Sequence, residues 1–114
     1  MSGRFVLGRS TEGKYRFVLE AGSGEVVLVG QSYEHLASAH AGIDAVRRSA
    51  ARDEMFERLT SGKGERYFTL RGASGQVVGT SAMYPGTRAR DTCIETVKRA
   101  APGAALHDET TPDA

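Results

Sequence analysis

Apolar and polar residues alternate along two short stretches of the chain, residues 15–21 and residues 66–72. In each stretch one set of alternate side chains is large and apolar, so an extended strand would present one hydrophobic face. A valine-rich segment follows each stretch, at residues 25–30 and 76–81, after a short turn that contains glycine. Glycine permits the positive φ that tight hairpins commonly need, so each pair of segments predicts a β-hairpin.

The spacing of apolar residues changes after each hairpin from every second residue to every third or fourth. This spacing gathers apolar side chains on one stripe of an α-helix. The stripe contains Leu36, Ala39, Ile43, Val46 and Ala50 in the first part of the chain, and Ile94, Val97 and Ala101 in the second. The sequence therefore predicts an amphipathic helix after each hairpin, and Pro102 with Gly103 ends the second helix.

The two hairpin-and-helix units are copies of one pattern, because residues 13–50 match residues 64–101 at a constant shift of 51 positions. The identical positions are mainly apolar or turn residues, which are the residues that a fold requires. Short apolar segments at residues 5–7 and 55–59 precede the two hairpins and predict a first strand in each copy. Each copy is thus expected to be a βββα unit.

These units predict an α+β fold in which two tandem βββα(β) repeats share one antiparallel sheet, with pseudo-twofold symmetry and two helices. A unit of this size buries one sheet face poorly by itself, so we expect a single domain over residues 1–109. Its repeats span about residues 4–52 and 55–108, and the last strand, at residues 104–108, aligns with the start of the second repeat. Residues 110–114 are expected to form a flexible tail.

Charge and cysteine content narrow the classes of function. The chain of 114 residues has 15 basic and 14 acidic side chains, and a net charge of +1 supplies no strong field to attract nucleic acid or anionic lipid. A single cysteine, Cys93, excludes an intramolecular disulfide and a zinc site built from several cysteines. With no apolar run that resembles a signal peptide or a membrane span, the expectation is a soluble cytoplasmic protein.

Three groups of residues and their repeats give the chain a family resemblance. They are Tyr15-Arg16-Phe17-Val18-Leu19, Gly24-Glu25-Val26-Val27 and Gly42-Ile43-Asp44-Ala45-Val46-Arg47, which the second copy answers with Tyr67-Phe68-Thr69-Leu70, Gly75-Gln76-Val77-Val78 and Ile94-Glu95-Thr96-Val97-Lys98. In combination they resemble the YegP-like proteins, small bacterial proteins with one βββα repeat or two in tandem. The resemblance implies two β3-α-β units that share a sheet and exchange the strands after their helices, and it implies no activity. The chain departs from the family pattern at Cys93, which stands where the first copy has Gly42.

Few residues suggest catalysis or metal binding. His35 and His40 are five positions apart, whereas helical metal ligands at three or four positions point the same way. Cys93 is expected to be a small packing residue, since no histidine close in the sequence would serve as its base. We therefore predict a protein that is not an enzyme and has neither metal nor cofactor, and an enzyme that uses Cys93 or His40 remains an alternative.

Six residues that recur between the copies are candidate binding residues. They are Tyr33, Tyr84, Arg47, Arg48, Lys98 and Arg99. The tyrosines precede the two helices, where they either contact a ligand at two symmetric places or act as hydrophobic staples that fix the start of each helix. The basic pairs either bind an anion or are stabilised at the helix C-terminus by the helix dipole.

The sequence favours a non-catalytic binding or interaction module with an unknown protein partner. It is expected to be a monomer that contains a built-in pseudo-dimer, and no membrane is expected as a partner. An alternative is a weak nucleic-acid or anion binder that uses the paired basic helix ends.

Overall fold

The computed structural model describes residues 3–110, and all but one residue of the expected tail lie outside this range. Its strands and helices are β1 (Arg4–Arg9), β2 (Tyr15–Glu20), β3 (Val26–Tyr33), α1 (Leu36–Ser49), β4 (Phe56–Thr60), β5 (Arg66–Arg71), β6 (Val77–Thr80), α2 (Thr87–Ala100) and β7 (Ala105–Asp108). A short 3₁₀ turn, Asp53–Met55, precedes β4. The βββα order of each repeat agrees with the sequence prediction.

The seven strands form one sheet in the order β4-β5-β6-β3-β2-β1-β7. Leaving β7 aside, the two repeats meet at the central β6–β3 pair, and the other two strands of each repeat follow in the same order on either side. The predicted α+β fold with pseudo-twofold symmetry is therefore confirmed. The sheet is mixed rather than wholly antiparallel, because β7 pairs with β1 in the parallel direction. The chain reaches β7 through α2, and a helical crossover permits a parallel neighbour that a tight hairpin does not.

Both helices cover the same face of this sheet. The side chains that form the fully buried interior include Phe5, Leu7, Phe17, Leu19, Phe68 and Leu70 from the strands and Ile43, Val46, Ile94 and Val97 from the helices. The alternating strand positions and the helical stripes predicted from the sequence therefore meet in one core. Neither helix within residues 3–110 is long and apolar enough to cross a membrane.

Matching β-bulges interrupt the third strand of each repeat. Val27 in β3 and Val78 in β6 are extra residues opposite their neighbouring strands, and the two positions correspond in the repeat. A bulge redirects the side chains beside it. Both valines are buried, and both face the space beneath the other repeat's helix.

Candidate functional site

Two grooves occupy equivalent places in the two repeats, each between one repeat's helix and the bulged strand of the other repeat. We call them the Tyr84 groove and the Tyr33 groove. The Tyr84 groove has a volume of about 560 Å³ and is lined by Glu25, Val27, Tyr84, Thr92, Cys93 and Thr96. The Tyr33 groove has about 280 Å³ and is lined by the corresponding residues Gln76, Val78, Tyr33, Ala41, Gly42 and Ala45.

Tyr33 is packed tightly in the smaller groove. Its ring stacks on Phe17, with centroids 6.2 Å apart and planes 11° from parallel. Its hydroxyl lies so close to Gly42 that a side chain at this position would overlap it. Tyr33 therefore fills space that a ligand in this groove would need, and its role as a hydrophobic staple stays a prediction.

Tyr84 is packed differently, because Cys93 stands where the first repeat has Gly42. Within residues 3–110, Tyr84 forms no ring stack of the Tyr33 type with Phe68. Its backbone is held in place, since the Tyr84 and Arg66 amides each donate a hydrogen bond to the other residue's carbonyl oxygen, at 2.7 and 2.8 Å. The exchange of glycine for cysteine thus accompanies a groove with about twice the volume.

Cys93 and Tyr84 lie in surroundings that disfavour their charged forms. Burial raises the pKa of the Cys93 thiol, whose Sγ donates a weak hydrogen bond to the Val27 carbonyl oxygen at 3.5 Å. Burial also raises the pKa of the Tyr84 phenol, and its contact with Cys93 adds to the effect. A protonated thiol is a poor nucleophile, so this site offers Cys93 for packing rather than for catalysis.

Two exposed charges flank the Tyr84 groove. Glu25 lies at the end of the turn between β2 and β3, and Arg88 lies in the first turn of α2. Within residues 3–110 neither side chain belongs to an ion pair. The Tyr33 groove has the neutral Gln76 in the place of Glu25, so the two grooves differ in charge as well as in volume.

The first member of each basic pair is used inside the fold. Arg47 donates from Nη2 to the Ala104 carbonyl oxygen at 2.8 Å, and its guanidinium lies 5.1 Å from the centroid of the Phe5 ring. It also pairs with Asp44 at 3.4 Å. Arg47 therefore fastens the segment after α2 onto the first repeat.

Lys98 repeats this arrangement in the second copy. Its Nζ lies 2.6 Å from the Asp53 carboxylate and 5.8 Å from the centroid of the Phe56 ring. It also pairs with Glu95 at 3.2 Å. Because Asp53 and Ala104 correspond in the repeat, each helix holds the segment that follows the other helix, as the family resemblance implied.

Arg48 and Arg99 remain as candidates for an anion site. Both side chains are exposed, and neither belongs to an ion pair within the part of the chain that the structure describes. Arg48 lines a second cavity of about 270 Å³ together with Arg52. Their role as ligand contacts stays a prediction.

The enzymatic alternative names Cys93 or His40 as its catalytic residue, and it stays a prediction. Cys93 lies on α2 within the Tyr84 groove, whereas His40 lies on α1 and does not line that groove. Within residues 3–110 no group of three or more His, Cys, Asp or Glu side chains is placed to hold a metal ion. Tyr84 is among the residues that the sequence indicates as candidates, whereas Glu25 and Arg88 are not, although the exchange of Glu25 for Gln76 between the copies is visible in the sequence.

The fold places the chain in a class of small α+β proteins made of two repeats that share one sheet. The family model described as "Domain of unknown function (DUF1508)" matches residues 10–57 and again residues 61–108. A UPF0339 protein of Bordetella pertussis is 44% identical over 110 residues, which cover 96% of this chain and 98% of the relative. The UPF0339 protein YegP of Escherichia coli K12 is 37% identical over 110 residues, covering 96% of this chain and 100% of the relative.

Solved structures agree with these matches. The solution NMR structure of yegP from E. coli, a protein of unknown function, has a TM-score of 0.93 and 36% identity, and the alignment covers 99% of this chain and 97% of that chain. The solution NMR structure of a UPF0339 protein from Shewanella oneidensis has a TM-score of 0.91 and 34% identity, with 96% and 93% covered. The chain belongs to the DUF1508 family of YegP-like proteins, as its sequence motifs indicated.

Proposed function

We propose that this protein is a non-catalytic binding module whose ligand site is the Tyr84 groove. The observation that carries the proposal is that the Tyr84 groove, at about 560 Å³, has twice the volume of the equivalent Tyr33 groove, at about 280 Å³. Small-molecule sites commonly have volumes of roughly 300–1,000 Å³ and mainly apolar walls with a few polar groups. Val27, Tyr84 and Cys93 supply such walls here.

The occupant that fits this shape is a small molecule with an apolar body. A concave site suits a small molecule better than the flat face of a protein partner, so we place the small molecule ahead of the protein partner that the sequence favoured. The raised pKa of the buried Cys93 thiol supports a role in binding rather than in catalysis. A cytoplasmic monomer is part of the proposal, and the built-in pseudo-dimer and single cysteine support it.

The test is a screen of small aromatic and aliphatic compounds by ligand-observed NMR, with amide shifts of the protein used to locate each hit. We expect shifts at Val27, Tyr84 and Cys93. Thr92→Phe should block binding because Thr92 lines the Tyr84 groove, and Ala41→Phe, at the corresponding place in the Tyr33 groove, should not. A diverse library without a hit at these amides, or equal effects of both variants, would refute the proposed site.

A second candidate is weak anion or nucleic-acid binding through Arg48 and Arg99, which the absence of ion pairs at both side chains within residues 3–110 favours. Two available cations predict a log-log salt slope of only about −2 on duplex DNA. Titration of labelled oligonucleotides at low salt tests this second candidate by comparing the wild type with the double variant Arg48→Ala/Arg99→Ala. Affinity that the double variant leaves unchanged would exclude these residues as the site.

A further inference from the structure

We infer that the Tyr84 groove takes a cationic ligand, an ammonium group on an apolar stem, with Glu25 as the counter-charge and the Tyr84 ring as the surface on which the cation rests. This inference depends on the proposed function, since it names the ligand class of the same site.

Glu25 is held at the mouth of the groove by its turn. The Glu25 carbonyl oxygen accepts a hydrogen bond from the Ala21 amide at 2.8 Å. Gly24 adopts a positive φ of 92°, which lets the chain reverse direction before β3. The carboxylate has no ion-pair partner within residues 3–110. A carboxylate beside an apolar cavity favours a ligand that brings a positive charge to it.

The Glu25 charge reaches the groups inside the groove. Burial is the largest cause of the raised pKa of Cys93, a hydrogen bond with Tyr84 lowers that pKa, and the Glu25 charge raises it. The pKa of Tyr84 is raised first by burial, then by Cys93 and last by Glu25. Arg88 lines the groove from the first turn of α2, and both its side chain and that of Glu25 are exposed to water.

Tyr84 offers the second half of a cation site. An aromatic ring attracts a cation to its face through the negative charge of the π-system. The protein makes this contact at three other rings, where Arg9 lies over Tyr15, Arg47 over Phe5 and Lys98 over Phe56 at 5.1–5.8 Å from the centroid. Within residues 3–110 no cation lies over the Tyr84 ring, and Tyr84 is one of the residues that line the groove.

The Tyr33 groove is a built-in comparison. Gln76 replaces the carboxylate there, and the Tyr33 ring is occupied by its stack on Phe17. The inference therefore assigns one cationic site to each chain, in the second repeat's groove and not in the first.

The test uses three probes of similar size on the intact protein: phenethylamine, the neutral 2-phenylethanol and the anionic 3-phenylpropionate. Amide shifts at Val27, Tyr84 and Cys93 report the affinity of each probe. We expect phenethylamine to bind about tenfold more tightly than 2-phenylethanol. Glu25→Gln should remove this preference by weakening phenethylamine binding, and an amide spectrum that otherwise matches the wild type shows that the variant is folded.

Two further variants complete the test. Glu65→Gln is the matched control. It removes one exposed negative charge from the second repeat, at a residue that lines neither groove, and it should leave the preference for phenethylamine intact. Arg88→Gln should strengthen phenethylamine binding, because a cation at the rim is removed. A preference that survives Glu25→Gln would show that Glu25 is not the counter-charge.

The remaining outcomes separate this inference from the proposed function. Equal affinity for phenethylamine and 2-phenylethanol, or tighter binding of 3-phenylpropionate, would overturn the cationic class and keep the groove as a binding site. If none of the three probes shifts the groove amides at millimolar concentration, the cationic site is rejected. The wider compound screen then decides whether the binding site is rejected with it.

Discussion

Close approaches between a ring and a glycine determine much of the packing in the first repeat. A Cβ added at Gly30 would lie 2.5 Å from Cε2 and Cζ of Phe17, a ring that is fully buried. The second repeat has Ser81 at the corresponding position, where its hydroxyl accepts a hydrogen bond from the Phe68 amide at 3.0 Å. The two copies thus differ at this position: Gly30 leaves room for the Phe17 ring, whereas Ser81 bonds to the Phe68 backbone.

Gly30→Ala should destabilise the protein because the new methyl group overlaps the Phe17 ring. Overpacking costs about 1–3 kcal/mol, which exceeds the roughly 0.5–1 kcal/mol gained when alanine replaces glycine in a strand. Denaturant unfolding should therefore show a net loss of about 1–2 kcal/mol. Gly62→Ala is the control, since its Cβ meets nothing within 4 Å, and similar losses in both variants would contradict the packing argument.

The Cys93 thiol should react slowly with iodoacetamide at neutral pH. Burial raises its pKa, so the thiolate is scarce below the ordinary thiol pKa and the rate should keep rising as the pH passes that value. Mass spectrometry should show alkylation more than about tenfold slower in the folded protein than in denaturant. Fast modification of the folded protein at neutral pH would instead favour the enzymatic alternative that the sequence left open.

At the scale of elements, β7 is held by hydrogen bonds rather than by burial. All four residues of β7 are exposed, and the Arg47 bond to Ala104 precedes the strand. After β7, the Glu109 amide donates to the Leu7 carbonyl oxygen at 2.8 Å. An edge strand of this kind depends on its ladder and on the anchor at its start.

Arg47→Met should increase the local opening of β7, because it removes the hydrogen bond to Ala104. The methionine side chain still covers the Phe5 ring. A hydrogen bond from a charged group contributes about 1.5–3 kcal/mol, so amide exchange at Glu109 should accelerate by at least about tenfold. Hydrogen-exchange NMR measures this directly. Arg48→Met, which removes the exposed neighbouring charge, should leave the rate unchanged, and equal rates in wild type and Arg47→Met would show that the anchor is not needed.

The strands and helices could be predicted because their patterns are local. Alternation around Phe17 and Phe68 and the helical stripes through Ile43 and Ile94 have periods that a single segment reveals. The parallel β7–β1 pair and the Tyr84 groove bring together residues far apart in the chain, such as Glu25 and Tyr84, which line the same groove. The sequence showed the exchange of Gly42 for Cys93 but not the cavity that accompanies it, because the space depends on how the opposite strand bulges.

At the scale of the whole molecule, the two repeats depend on each other through the sheet. β3 pairs with β6 at the centre, and β7 extends the first repeat's edge. Residues 1–52 alone should therefore be unfolded or dimeric, because they lose both neighbours. Light scattering and amide dispersion in NMR measure this, and a folded monomer of that fragment would refute the single-domain prediction.

Fusion of the two repeats in one chain has an evolutionary consequence. In a homodimer of a single repeat, a glycine-to-cysteine exchange would appear in both subunits, remove both aromatic stacks and open both grooves at once. In a tandem gene the exchange appears once, so one half keeps the packed tyrosine while the other half is able to diverge. If the larger groove is the binding site, calorimetry should therefore find one ligand per chain, bound without cooperativity.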